Sequence, residues 1–326
     1  MPYPLRFAPI YFKKVWGGRR FSSIIGRAIP DGPIGESWEV SIHPHGHSIV
    51  ANGVDAGVKL SEVIEVAPAD ILGKRVLAQS GSKFPLLVKY IDAEDALSVQ
   101  VHPDDAYGAA HAGELGKTEM WYVLHAEPGS CLIAGLERGV TREQFQQALA
   151  GGGDPGALLH RIPVATGDSI FIPAGRIHAI MPGLTILEIQ QNSDTTYRLY
   201  DWGRLGLDGQ PRELHVEQAL AVSDWTDYAP NSAVDAPVAI TGGTSTTLAR
   251  CQYFVVEKLD LHGKYSSATD GETFIVVNCV NGGGLLTWAG GDEQVKLGDS
   301  LLLPAALGEY SLIPDGNASF VISYVP

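Results

Sequence analysis

The chain has 326 residues, 45% of them hydrophobic and 18% charged, with a formal net charge of −14, the profile of a globular protein long enough for two cores. That acidity argues against nucleic acid as a partner, because such binding draws on Lys and Arg to neutralise phosphates, and an anionic ligand must find its cations locally. MPYPLRFAPIYFKK is no secretory leader and no apolar run reaches spanning length, so no membrane partner and a cytoplasmic location are expected; Cys131, Cys251 and Cys279, far apart and without CxxC spacing, fit reduced thiols.

Residues 1–60 read as short β segments broken by glycine, and His43, His45 and His47 fall in a turn made by Pro44 and Gly46, a solvated histidine turn more than a metal tract. Near 61–80 the signals turn helical: Ser61 is placed to cap one short helix, and Pro68 suits the first turn of another. A strand over 85–91 leads to LSVQVH, where the period of two puts Gln100 and His102 on one face and Val99 and Val101 on the other. Thr118 to Leu124 form a strand that opens near Glu119. Thr141 and Gln144 make a capping box with Val140 and Phe145 as its staple, and Asp154–Pro155 starts a second helix after three glycines, so 141–160 is a helical insertion. The chain returns to β over 164–192, where His178 follows a turn on Pro173, Ala174 and Gly175. RELHVEQALAVSDW, 212–225, reads as a helix, and 226–245 as a linker.

An internal echo suggests two related β domains. GDSIFIPAG from Gly167 recurs as GDSLLLPAA from Gly298, and each follows a glutamate-led strand, EMWYVL from Glu119 and ETFIVV from Glu272. The second copy carries Glu309 where the first has His178 and has no counterpart of QVH, so it is expected to keep the fold without a metal. The reading is a metal-binding domain over 1–225, the linker, and a smaller metal-free β domain over 246–326.

Gln100, His102, Glu119 and His178, drawn from neighbouring strands of a small barrel, would form a mixed N/O site suited to a borderline divalent ion such as Zn²⁺, with a position left for water or a substrate oxygen. Spacing alone leaves oxygenase and isomerase chemistry both open.

FPLLVKYIDAEDALSVQVHPDD, GKTEMWYVL, PAGRIHAI, EIQQNSDTTYR, LYDWGR, VWGG and ESWEVSIHP together resemble the type I phosphomannose isomerases, particularly their short bacterial form. The resemblance implies a mainly β fold of cupin-type double-stranded β-helix (jelly-roll) domains with a small helical insertion, a zinc ion on Gln100, His102, Glu119 and His178, and interconversion of mannose 6-phosphate with fructose 6-phosphate through an enediolate. It further implies Glu188 or Lys89 as the base, Arg198 as the catalytic arginine, and Ser98 and Lys117 as phosphate contacts. A carboxylate is ionised at neutral pH unaided, whereas Lys must have its pKa lowered, which favours Glu188. Longer members carry a histidine where this chain has Gly116, so its ring-opening role does not transfer. The expected partner is a small sugar phosphate, and the expected state a monomer or homodimer. Two other readings stand beside this one: a non-catalytic sugar-phosphate-binding cupin, and a metal-dependent cupin oxygenase, which three cations converging on the metal would serve poorly if its substrate were apolar.

Overall fold

Alternation of side chains across strands organises each half of this molecule. The computed structural model describes residues 2–228 and 234–326, so residues 229–233 of the expected linker lie outside the described residues. Strands dominate, helices are short, and by packing the chain divides into one unit of Met1–Ile10, Trp38–Val88 and Ala233–Pro326 and another of Tyr11–Ser37 and Lys89–Ser232. The units interleave along the sequence, whereas the expectation from sequence is a domain over 1–225, a linker over 226–245 and a second domain over 246–326.

In the second unit a five-stranded antiparallel sheet runs Leu159–Pro163, Cys131–Leu136, His178–Ile180, Val99–Val101, Tyr197–Tyr200. A six-stranded sheet contains Ser169–Ile172, Glu119–Ala126 and Leu184–Gln191 side by side. Trp121, Val123, Leu132, Ala134, Ile172 and Ile180, from both sheets, share one buried core. Val99, Val101, Ile133 and Leu199 belong to a second core with Phe145 and Leu220, on the helices Arg142–Gln147 and Val216–Val222. Thus the strand Val99–Val101 turns its valines toward helices and Gln100 the other way, as period two requires.

The other unit holds the second copy of the echo. Ser300–Leu303 pairs antiparallel with Ile275–Asn281 just as Ser169–Ile172 pairs with Glu119–Ala126. Register refines the correspondence: Ile172 faces Glu119, but Leu303 faces Ile275, so the position of Glu119 is taken by Ile275, and Glu272 precedes the strand. Ile275 packs on an apolar core that includes Phe320 and Leu286, while Glu309, at the position of His178, is exposed.

Several local expectations change. The segment near 61–80 is helical, as Leu60–Val66, Pro68–Leu72 and Lys74–Ser80, but it packs on the C-terminal strands: Lys74 N–H donates to Gly271 O, and at Gly73, φ +92°, a Cβ would lie 2.3 Å from Glu272 backbone. Lys59, not Ser61, occupies the N-cap of the first helix. Asp105–His111 is a helix absent from the sequence reading, capped by Asp104, whose side chain accepts from Tyr107 N–H at 2.8 Å. The helix expected over 212–225 spans only Val216–Val222, because Glu213 O and His215 N–H are bonded to Arg198 instead. The capping box of Thr141 and Gln144 is present, as is the cap of Asp154 on Gly156.

The WGG phrase has a steric cause. A Cβ on Gly17 would stand 2.4 Å from Gly35 N and 2.6 Å from Ile34 C, and one on Gly18 would stand 2.8 Å from Asp92 Oδ2. Gly17→Ala must push two backbones apart, so it is expected to cost about 1–3 kcal/mol, read as a lower urea midpoint. An unchanged midpoint would show that the strands yield at no cost.

Candidate active site

Within the second unit, Gln100, His102, Glu119 and His178 come together from three places in the sequence. The pairing of Gln100 with both His178 and Arg198 makes a row across the five-stranded sheet, and His102 follows the end of the Gln100 strand. Glu119 opens its strand on the other sheet. His102, Glu119 and His178 each offer one ligand atom, all within 4.8 Å of one another, and none is more than 1% exposed.

The ring nitrogens are sorted by backbone carbonyls. His102 Nδ1 lies 2.9 Å from Thr195 O and His178 Nδ1 2.8 Å from Arg176 O. A carbonyl only accepts, so each Nδ1 carries the proton and each Nε2 turns a lone pair inward. Those Nε2 atoms stand 3.5 Å and 3.4 Å from the two oxygens of Glu119. Burial, with Lys117 and His178 adding repulsion, holds His102 well below the usual imidazole range, and burial above all brings His178 down to about 3. Both rings are therefore neutral at neutral pH. Gln100 Nε2 lies 3.3 Å from His178 Nε2, and a half turn of the amide would present Oε1 to the same point. Neither oxygen of Glu119 accepts a hydrogen bond although both are buried, a state that costs free energy unless a cation faces the carboxylate.

A cleft of about 270 Å³ opens over this cluster, lined among others by Gln100, Lys117, Glu188, Ser98 and Arg198. Lys117 Nζ is 3.2 Å from His102 Nε2, 3.3 Å from Glu119 Oε2 and 3.9 Å from Glu188 Oε1. Glu188 is 2% exposed, with Oε1 3.3 Å from Lys89 Nζ. Burial first, and then the charge of Glu119, push the Glu188 carboxyl up to about 7 against the pull of Lys89 and Lys117. Burial alone would lower the Lys89 ammonium, but Glu188, Glu36, Asp194 and Glu119 outweigh it and the net shift is upward.

On the far side of Gln100, Arg198 Nε donates to Ser98 Oγ at 3.2 Å and Nη1 to Glu213 O at 2.7 Å, while Ser98 Oγ donates to Gln100 Oε1 at 3.4 Å. Next comes a carboxylate shared by two arginines: Asp201, 6% exposed, accepts from Arg212 and from Arg204. Trp202, with φ +59° the single described non-glycine residue in the left-handed region, donates its indole N–H to Leu97 O at 2.7 Å and so ties down the residue before Ser98.

All nine residues singled out in the sequence border this one region. Reading the sequence missed Asp201, Arg204 and Arg212: LYDWGR had no role assigned residue by residue, and Arg212 opened a supposed helix where an exposed Arg is unremarkable. Gly116 acquires a physical reason, since a Cβ there would lie 2.6 Å from backbone atoms of Asp104 and Asp105, at the cap of helix Asp105–His111.

Known proteins share this arrangement of sequence. Residues 5–134 match the family model for the catalytic domain of phosphomannose isomerase type I, and residues 244–325 that for the cupin domain of mannose-6-phosphate isomerase. A mannose-6-phosphate isomerase of Streptococcus mutans is 39% identical over 324 residues, 99% of each chain, and a probable one of Bacillus subtilis is 38% identical over 327 residues, 99% of this chain and 100% of the other. The crystal structure of the Bacillus subtilis mannose 6-phosphate isomerase superimposes with a TM-score of 0.89 at 34% identity, covering 98% of this chain and 99% of that one.

The Asp201 pairs yield a test of the local electrostatics. Burial would raise its carboxyl, but Arg212 and then Arg204 outweigh it and hold the group below the usual carboxylate value. A pKa lower in the folded than in the unfolded state gives stability that is present above the unfolded value near 4 and is lost as pH falls through the folded one. Asp201→Asn is expected to cost about 1–2 kcal/mol near pH 7, discounted for the partial exposure of the arginines, and the gap to wild type should close below about pH 4. Urea unfolding at several pH values reads both; a gap that persists in acid would assign the loss to packing.

Proposed function

The chain belongs to the type I mannose-6-phosphate isomerases, and on that premise we propose that it interconverts mannose 6-phosphate and fructose 6-phosphate through an enediolate, with zinc held by Gln100, His102, Glu119 and His178. The donor set fits the ion: two neutral imidazoles with Nε2 inward, an amide and a buried carboxylate without hydrogen-bond donors, and no thiolate. When bound, zinc supplies a Lewis acid that polarises the sugar carbonyl and offsets negative charge on the reacting oxygens.

The residues of the chain divide the remaining work. Lys89 is paired with Glu188 and ringed by carboxylates, which stabilises its cationic form, so the proton acceptor in this pair is Glu188. Glu188 takes the proton from C2 of the open-chain aldose and delivers it to C1, while the O2 hydroxyl proton passes to O1. Lys89 orients the carboxylate. Arg198 faces the charge that grows on oxygen during enolisation, its fork aimed by Ser98 and Glu213 O. Ser98 and Lys117 contact the substrate, Lys117 at the reacting end beside Glu119 and Glu188. The observation that carries this reading is that Glu188 and Gln100 line one cleft, where Lys117 Nζ lies 3.9 Å from Glu188, 3.3 Å from Glu119 and 3.2 Å from His102. The cationic lining fits a sugar phosphate better than an apolar oxygenase substrate. The three cysteines are unpaired, which fits a cytoplasmic location.

Protein stripped of metal and incubated with mannose 6-phosphate should form fructose 6-phosphate only after zinc is restored, and His102→Ala should fold yet bind zinc at least about tenfold more weakly in a chelator competition. Absence of fructose 6-phosphate from the zinc-loaded wild type would withdraw the isomerase reading. Arg198→Lys keeps the charge but loses the fork, so kcat should fall by about a hundredfold or more. A retained kcat with a raised KM would make Arg198 a binding residue instead.

A further inference from the structure

We propose that Arg212 is a phosphate-binding residue, which with Ser98 holds the phosphate monoester dianion of the substrate at the end of the cleft beyond Arg198, remote from Glu119; this rests on the sugar-phosphate reading above. Four observations lead to it. Reading outward across the sheet from His178, the row passes Gln100 and Arg198 and reaches the segment of Glu213 and His215, whose backbone is bonded to Arg198 and which Arg212 adjoins. Arg212 and Arg198 line the same cleft.

The second observation concerns geometry. Arg212 Nε donates to Asp201 Oδ2 at 2.7 Å and Nη2 to Asp201 Oδ1 at 2.5 Å, so one edge of its fork is fixed. Its Nη1, like Nη2 of Arg198, has no protein acceptor among the described residues. Third, Asp201 also anchors Arg204, so Arg204 and Arg212 share a single buried carboxylate within electrostatic reach of Arg198, with Asp95 the exposed partner of Arg204. In a chain of net charge −14, such a concentration of guanidinium is unfavourable without an anion and suits a dianion. Fourth, Lys117 lies against His102 and Glu119, which places the other candidate phosphate cation at the opposite end, where the reacting carbons belong. An aldose 6-phosphate carries its phosphate and its C1–C2 pair at opposite ends of the carbon chain, and the cleft presents matching groups in that order.

The test compares wild type, Arg212→Ala and Arg212→Lys in zinc-loaded full-length protein. Inorganic phosphate is titrated in by calorimetry, and mannose 6-phosphate is used in steady-state kinetics. Loss of hydrogen bonds to a charged group is expected to weaken phosphate binding in Arg212→Ala by about tenfold to a hundredfold, with the kinetic loss falling mainly on KM. Arg212→Lys, which keeps a cation against Asp201, should recover part of that affinity, which a merely structural role would not predict. If Arg212→Ala does not fold, Arg212→Lys decides alone, by a several-fold weakening. Phosphate affinity and KM equal to wild type in a folded variant overturn the proposal. Calorimetry needs no turnover, so a wild type that binds phosphate through Arg212 but does not isomerise would sink the isomerase reading and leave the phosphate site standing.

Discussion

A carboxylate that is buried and receives no hydrogen bond is the constraint to which the second unit answers. Removing such a charge from water costs several kcal/mol unless cations or donors replace the hydration shell. Around Glu119 the ammonium of Lys117 supplies one such charge, and the two imidazoles, whose lone pairs face inward, complete with the carboxylate a donor set that suits a further cation. The imidazoles can present those lone pairs only because Thr195 and Arg176 carbonyls take up their other nitrogens. The backbone path of two loops is therefore fitted to one carboxylate, and the valines that alternate with Gln100 anchor the whole from behind.

The same charge propagates to Glu188. Two carboxylates and two ammonium groups share a nearly dry space, and each ionisation depends on the others. Lys89 is held as a cation by its carboxylate neighbours, Glu188 at 3.3 Å first among them. The order of groups along the cleft follows from the sheet: the register row of His178, Gln100 and Arg198 sets imidazole, amide and guanidinium in one direction.

Much of this was legible in the sequence, for physical reasons that can be named. Period two in VQVH reports which side chains share a face, and a capping box is a local signal, so Gln100, His102 and the helix at Arg142–Gln147 needed no tertiary information. The echo of GDS and its preceding strand identified the second barrel, but register had to show that Ile275, three residues past Glu272, occupies the place of Glu119. Arg212 escaped because its partner Asp201 and its cleft neighbour Arg198 come near it only on folding. The short helix Val216–Val222 failed for a related reason, since backbone groups of Glu213 and His215 are taken by Arg198 and cannot enter a helix. Residues 60–80 read correctly as helical, yet no local pattern announces that Gly73 will abut Glu272.

The interleaving of the two units bears on how the chain acquires its shape while it is being made. The residues of Tyr11–Ser37 and Lys89–Ser232 have all been made once synthesis passes residue 232, whereas Leu5–Arg6 must wait for Leu301 and Leu302, far later in the sequence. Emergence from the ribosome at about 5–20 residues per second therefore leaves a window of several seconds in which residues 1–10 and 38–88 are out of the tunnel without the strands that cover them. Leu72 and Phe84, fully buried in the finished protein, lack Phe274, which meets them both, throughout that interval. A chaperone that recognises nascent apolar segments would find its substrate here, in the earliest-made part of the chain rather than in the barrel that carries the chemistry.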